Sequence, residues 1–197
     1  MQKYAFPVII GLVILAMFGL FAAGNNSSPQ PSNGKPNKVS NLRETQAPWS
    51  ADNANLAATI TALGLPPTGT EKFHQHALMQ IFIDGKRVVV PKSIGVGGGA
   101  VSSLHTHNED GAVHMESEVS FPFKLGQIFD VWGVKFAKDQ LGAYKDKDNK
   151  RVQVYVNGVK LVNPASYLLK EKDKIVVGYG TTEQVPTTNS DEFPKNL

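Results

Sequence analysis

Between Phe73 and Gly85 two alternations run through one stretch of chain in opposite phase. Ala77, Met79, Ile81 and Ile83 hold the odd positions, and His74 and His76 hold even ones. Successive side chains of a strand point to opposite faces, so this pattern predicts a strand with an apolar face and histidines on the other. Asp84-Gly85 then supplies a tight turn into Val88-Val89-Val90, a hairpin signal. A chain built on such a strand needs a sheet with at least one covered face, and the other elements must provide the cover.

The remaining histidines follow the same logic. The segment Leu104-His105-Thr-His107-Asn-Glu-Asp-Gly-Ala-Val-His114-Met-Glu116 reads as a second hairpin with Glu109-Asp110 at its tip. His105 then faces His114, and His107 faces Ala112, so His105, His107, His114 and Glu116 share one face. Val113, Met115 and Val119 take the other. Leu125, Ile128, Phe129 and Trp132 follow helical spacing, with Gly133 as the stop. Val152, Val154 and Val156 alternate into Asn157-Gly158, a two-residue turn signal, and Ile175-Val176-Val177 is a last strand. These elements predict an α+β domain over 72–180, a small mixed sheet with one packed helix. The half from Val154 to Val177 resembles the second half of a β-grasp, or ubiquitin-like, fold. That likeness concerns architecture and implies no activity.

Upstream of the domain the composition changes twice. Ala5 to Gly24 is a run of twenty residues without a charge after Lys3, the length that crosses about 30 Å of hydrocarbon at 1.5 Å per residue. It predicts an N-terminal transmembrane helix over 1–24, with a cleaved signal peptide as the competing reading and Ala22-Ala23-Gly24 as its processing site. Lys3 on the short side places the bulk of the chain outside the cytoplasm, at the cell surface or in the periplasm. Residues 25–48 carry Pro29, Pro31, Pro36 and Pro48 among Ser, Asn and Lys, and read as a spacer. Residues 49–66 read as an accessory helix, with Ser50 as N-cap, Leu56, Ile60 and Leu63 on one stripe, and Gly64 and Pro66-Pro67 as the stop. Residues 181–197 form a polar tail expected to fray. The 20 Lys and Arg are scattered among 17 Asp and Glu, which leaves no basic block to follow a phosphate backbone and excludes nucleic acid as a partner.

With no cysteine in the chain, disulfides, thiolate metal sites and cysteine nucleophiles are excluded. His74, His76, His105, His107, His114 and Glu116 are therefore the candidate metal ligands, Glu116 either as ligand or as orienter of a ring N–H. Buried structural histidines are disfavoured because both groups avoid the apolar face. Solvated histidines are disfavoured because all five fall within one stretch and four are paired at i, i+2. A metal-free, pH-responsive patch is the third alternative. Imidazole with carboxylate suits zinc, copper, nickel or iron as divalent ions. The leading expectation is a tethered, extracytoplasmic domain that sequesters, senses or delivers such a metal, with a membrane protein or metal acceptor as partner. A metalloenzyme using His105, His107 and His114 with Glu116 as base or orienter is the second. A structural module of a membrane complex, pairing through a sheet edge, is the third.

Taken together, three motifs resemble a family of uncharacterised, membrane-anchored or secreted prokaryotic proteins. They are the His-x-His strand ending in Asp84-Gly85, Leu104-His-Thr-His-x-x-x-Gly-x-x-His-x-Glu116, and Leu125-Gly-Gln-Ile-Phe-Asp-Val-Trp-Gly133. The likeness covers roughly Phe73 to Tyr179. It implies an extracytoplasmic location and the domain boundary, and supplies no reaction.

Overall fold

A computed structural model describes residues 39–69, 72–195 and 197. The apolar run 5–24 and most of the spacer lie outside the described residues. Among the described residues no helix is long and apolar enough to cross a membrane.

Helix α1, Leu56–Leu63, is shorter than its stripe suggested. Ser50 does not cap it. Asp52 Oδ1 instead accepts the Ala54 N–H, and the Asn53 side chain bonds Ser93 O, Val96 O and Gly95 N, so polar side chains hold 50–55 out of the helix. Gly64 ends α1 in the left-handed conformation (φ 61°). Strand β1, Phe73–Ile83, follows and turns through Asp84-Gly85 (φ 49° and 79°) into β2, Lys86–Val88. Val89 and Val90 have already left the ladder. The glycine-rich stretch beyond Pro91 contains a minimal hairpin, β3 (Val96–Gly97) with β4 (Ala100–Val101). Next come β5, Leu104–His105, and β6, Ala112–Ser117.

Helix α2 spans Leu125–Trp132 and stops at Gly133. A three-stranded meander missing from the sequence reading succeeds it: β7 (Phe136–Ala137), β8 (Gln140–Leu141) and β9 (Tyr144–Lys145). Strand β10, Arg151–Val156, turns at Asn157-Gly158 (φ 50° and 82°) into β11, Val159–Lys160. A short 3₁₀ turn at Pro164–Ser166 leads to β12, Asp173–Gly180.

The fold is mixed α+β and dominated by one seven-stranded sheet, six strands in the order β11-β10-β12-β1-β6-β5 and the seventh, β2, paired with β1 off that path. Its centre is the parallel pair β1–β12, and the other pairings are antiparallel. At eleven residues β1 is long enough to share its second edge. Phe73–Leu78 pair with β6, and Ile81–Ile83 pair with β2. The register aligns Met79 with Ile175, Ile81 with Val177 and Ile83 with Tyr179, and aligns Val177 with Val154. Those residues form the main core face under Leu125, Ile128, Phe129 and Trp132 of α2 and Leu56 and Leu63 of α1. Val119, expected on this face, is exposed, because the chain leaves the ladder after Ser117.

Both ends of the described region pack more closely than their composition suggested. Arg43 donates to Trp132 O (2.6 Å), Ser50 O and Gly133 O, so a cation satisfies carbonyls at the C-terminal end of α2. Trp49 is buried edge-on against Trp132 and Tyr144. The polar tail does not fray uniformly. Val185 is buried with Phe82, Tyr155 and Val176 on the second face of the sheet. Asn189 Nδ2 donates to Leu78 O and Ile175 O, and Arg87 pairs with Asp191.

Candidate metal centre

Three neighbouring strands, β1, β6 and β5, present four of the five histidines, His74, His76, His114 and His105. In the ladders His76 stands opposite His114, His114 opposite His105, and His74 opposite Glu116. Directly opposed residues in a ladder point to the same face, so one row of three imidazoles crosses three strands. The β5–β6 ladder ends at His105, and 106–111 open into a loop rather than pairing His107 with Ala112. The loop stays close, since Met79 N–H donates to Gly111 O (2.8 Å). Gly111 has φ 82°, and a Cβ there would lie 2.3 Å from Met79 O, so glycine is required. His107 still reaches its partner: its Nε2 lies 3.0 Å from His105 Nε2.

The structure thus brings all six sequence candidates together. His74 Nε2 lies 3.0 Å from His76 Nε2 and 3.0 Å from Glu116 Oε1. His114 Nδ1 lies 2.8 Å from Glu116 Oε1, and His105 Nε2 lies 3.5 Å from Glu116 Oε2. Two overlapping sets hold donor atoms within 4.8 Å of one another: His74, His76, His114 and Glu116, and His105, His107, His114 and Glu116. His76, His105, His114 and Glu116 are buried, while His74 and His107 are exposed at the rim. The centre is therefore held by rigid strands yet open to solvent on two sides.

Hydrogen bonds orient the rings. His105 Nδ1 sits 2.9 Å from Ser102 O, a carbonyl that can only accept, so this nitrogen carries the proton and the Nε2 lone pair faces the cluster. Glu116 Oε1 holds His114 Nδ1 in the same way and frees His114 Nε2. Burial, assisted by the surrounding His105 and His76, pushes the His114 pKa down to about 3. Burial also lowers that of His76, with His74 as the next cause. Both are neutral at pH 7 and need lose no proton to ligate an ion.

Two neighbours escaped sequence reasoning. Ser102 reads as an ordinary loop residue, and its role rests on a backbone atom. Glu171, in the charged turn before β12, accepts the His76 N–H through Oε2 (2.8 Å), and Lys172 N–H donates to His76 O. Its sequence signal is hidden among the alternating charges of 170–174. Met79 and Met115 point into the core, away from the histidines.

Comparison of the chain with protein-family models, curated proteins and solved structures finds no match to any of the three. The chemistry of the centre follows from its own atoms. Clustered imidazoles and one carboxylate, with no thiolate in the chain, are compatible with a transition-metal ion.

Proposed function

We propose that this protein is a membrane-tethered, extracytoplasmic domain that binds a divalent transition metal through its histidine face. The observation that carries the reading is the spacing of the donor atoms. Two ligands of a tetrahedral ion with metal–nitrogen bonds of about 2.0–2.1 Å stand about 3.3–3.4 Å apart. The His-x-His pairs stand 3.0 Å apart, and Glu116 lies 3.0 Å from His74 Nε2 and 3.5 Å from His105 Nε2. Small rotations about side-chain torsions would bring these atoms to ligating positions. Zinc, copper, nickel and iron all accept this donor set.

The scaffold is read as β-grasp-like. Its parallel central pair β1–β12, flanked by the hairpins β1–β2 and β10–β11 with α2 between them in sequence, supports that reading. The β5–β6 hairpin would then be an addition on the free half of β1, carrying His105, His107, His114 and Glu116. Residues 1–24 would supply the anchor and the 25–48 spacer the connection between membrane and domain. Exposure of His74 and His107 supports exchange of the ion with a metal acceptor or membrane-protein partner, as sequestration, sensing or delivery requires.

Calorimetric titration of Zn²⁺ into the tag-free, metal-stripped full chain in detergent tests the reading at pH 7.5 and pH 5. Protons compete for histidine ligands at low pH, least at His114, whose pKa is already depressed to about 3, so the affinity is expected to be lower at pH 5 than at pH 7.5. Equal affinity at both values would rule out ligation by histidine.

A further inference from the structure

The centre has more donors than a four-coordinate ion needs, and their arrangement divides them. Each His-x-His motif brings its two Nε2 atoms to 3.0 Å, close to the separation of neighbouring ligands on one ion. The two pairs belong to different sets, one on β1 and one on β5 and its loop, and neither set contains both pairs. Glu116 lies between them with its oxygens divided. Oε1 is 3.0 Å from His74 Nε2, and Oε2 is 3.5 Å from His105 Nε2. His114, common to both sets, has ring-centroid distances of 4.6 Å to His76 and 4.4 Å to His107. A carboxylate with one oxygen toward each of two ligand pairs is the arrangement that bridges two cations, which in two-metal sites stand about 3.5–4 Å apart.

We infer that the histidine face is a dinuclear centre for two divalent transition-metal ions, one on His74 and His76 and one on His105 and His107, bridged by Glu116. The inference rests on the metal-binding reading above and adds the number of ions and the division of ligands. Two divalent ions bring more positive charge than Glu116 offsets. Glu171 supplies a second carboxylate beside the first pair, anchored to the His76 N–H. The exposed edges of His74 and His107 leave each ion a side open to water or a small anion.

The test uses Cu²⁺ as the probe on the metal-stripped, tag-free full chain in detergent at pH 7.5. Bound copper is counted after desalting, and electron paramagnetic resonance then counts the spins. The wild-type chain is expected to retain two equivalents and to show fewer spins than copper ions, because the paired ions couple. The double variant H74A/H76A is expected to retain half as much copper, with one spin per ion. H105A/H107A should give the same result from the other side, with circular dichroism confirming that each variant is folded. One uncoupled equivalent in the wild type would overturn the dinuclear centre and leave single-ion binding intact. No retained copper would overturn both readings. Two equivalents retained in H74A/H76A would overturn the division of ligands. The wild-type count and spin deficit decide the matter even if a variant fails to fold.

Discussion

Glu116 stands within 3.5 Å of three of the five histidines, and no other carboxylate enters either candidate ligand set. It orients His114 through Nδ1 and would offer a charge to a bound ion, so its substitution separates electrostatics from shape. Glu116→Gln keeps the side-chain volume and removes the charge. It is expected to weaken Zn²⁺ binding by about 10–100-fold in a competition titration with a coloured chelator. An unchanged affinity would remove Glu116 from the centre. His114 supplies a second expectation in the metal-free chain. Its folded pKa of about 3 lies below the ordinary histidine value of 6.5, so the unfolded chain holds more protons between those values. Stability therefore falls as pH drops through that window, and the lowered His76 acts in the same direction. The urea midpoint with a chelator present is expected to be lower at pH 5 than at pH 7.5, and His114→Gln should flatten the difference. Equal midpoints in the native sequence would show that these imidazoles protonate without opposing the fold.

Among the elements, the C-terminal segment contributes most that composition concealed. Val185 packs on the second face of the sheet, where Gly178 makes room for it. A Cβ at Gly178 would lie 2.5 Å from Val185 Cγ1. Val185→Ala removes two buried methyl-sized groups and is expected to cost about 2 kcal/mol in denaturant unfolding. Gly178→Ala should release the segment and expose 181–195 to limited proteolysis. Protection equal to that of the native chain would mean the docking is incidental. These contacts were illegible because one valine among prolines, threonines and asparagines makes no periodic pattern. The meander β7–β9 was illegible for a related reason, since two-residue strands are too short to alternate. Where alternation was long, it was readable. The β1 core face, the positive-φ turns at Asp84-Gly85 and Asn157-Gly158, and His105 opposite His114 all follow from period two and turn chemistry. The start of α1 was misread because Asp52 and Asn53 spend their side chains on local and loop contacts instead of capping a first turn at Ser50.

At the scale of the whole molecule, the histidine face depends on a pairing between distant segments. Parity alone put each histidine group away from the core, but nothing local to either group specified that β1 would lie beside β6 with His76 opposite His114. That register comes from the sheet. β12 takes one edge of β1 in parallel, β2 takes only its last residues, and the first half of its other edge remains for the β5–β6 hairpin. A one-residue slip between β1 and β6 would turn His74 and His76 to the core side and bring Ala77 and Met79 out, so burying the apolar face and assembling the histidine face require the same register. Ligand binding to the folded chain adds stability by mass action, about 2.7 kcal/mol when free metal is 100 times Kd. The unfolding temperature should accordingly rise with Zn²⁺ in the native chain, and it should stay unchanged in H105A/H107A if that pair is needed for tight binding. Imidazole nitrogens from three strands are proposed to surround a common metal centre. X-ray absorption at the zinc edge of the Zn²⁺-loaded full chain measures this most directly. A nitrogen and oxygen shell at about 2.0–2.1 Å with the outer-shell scattering of several imidazole rings is expected. A shell of oxygen alone, or zinc lost on desalting, would contradict it.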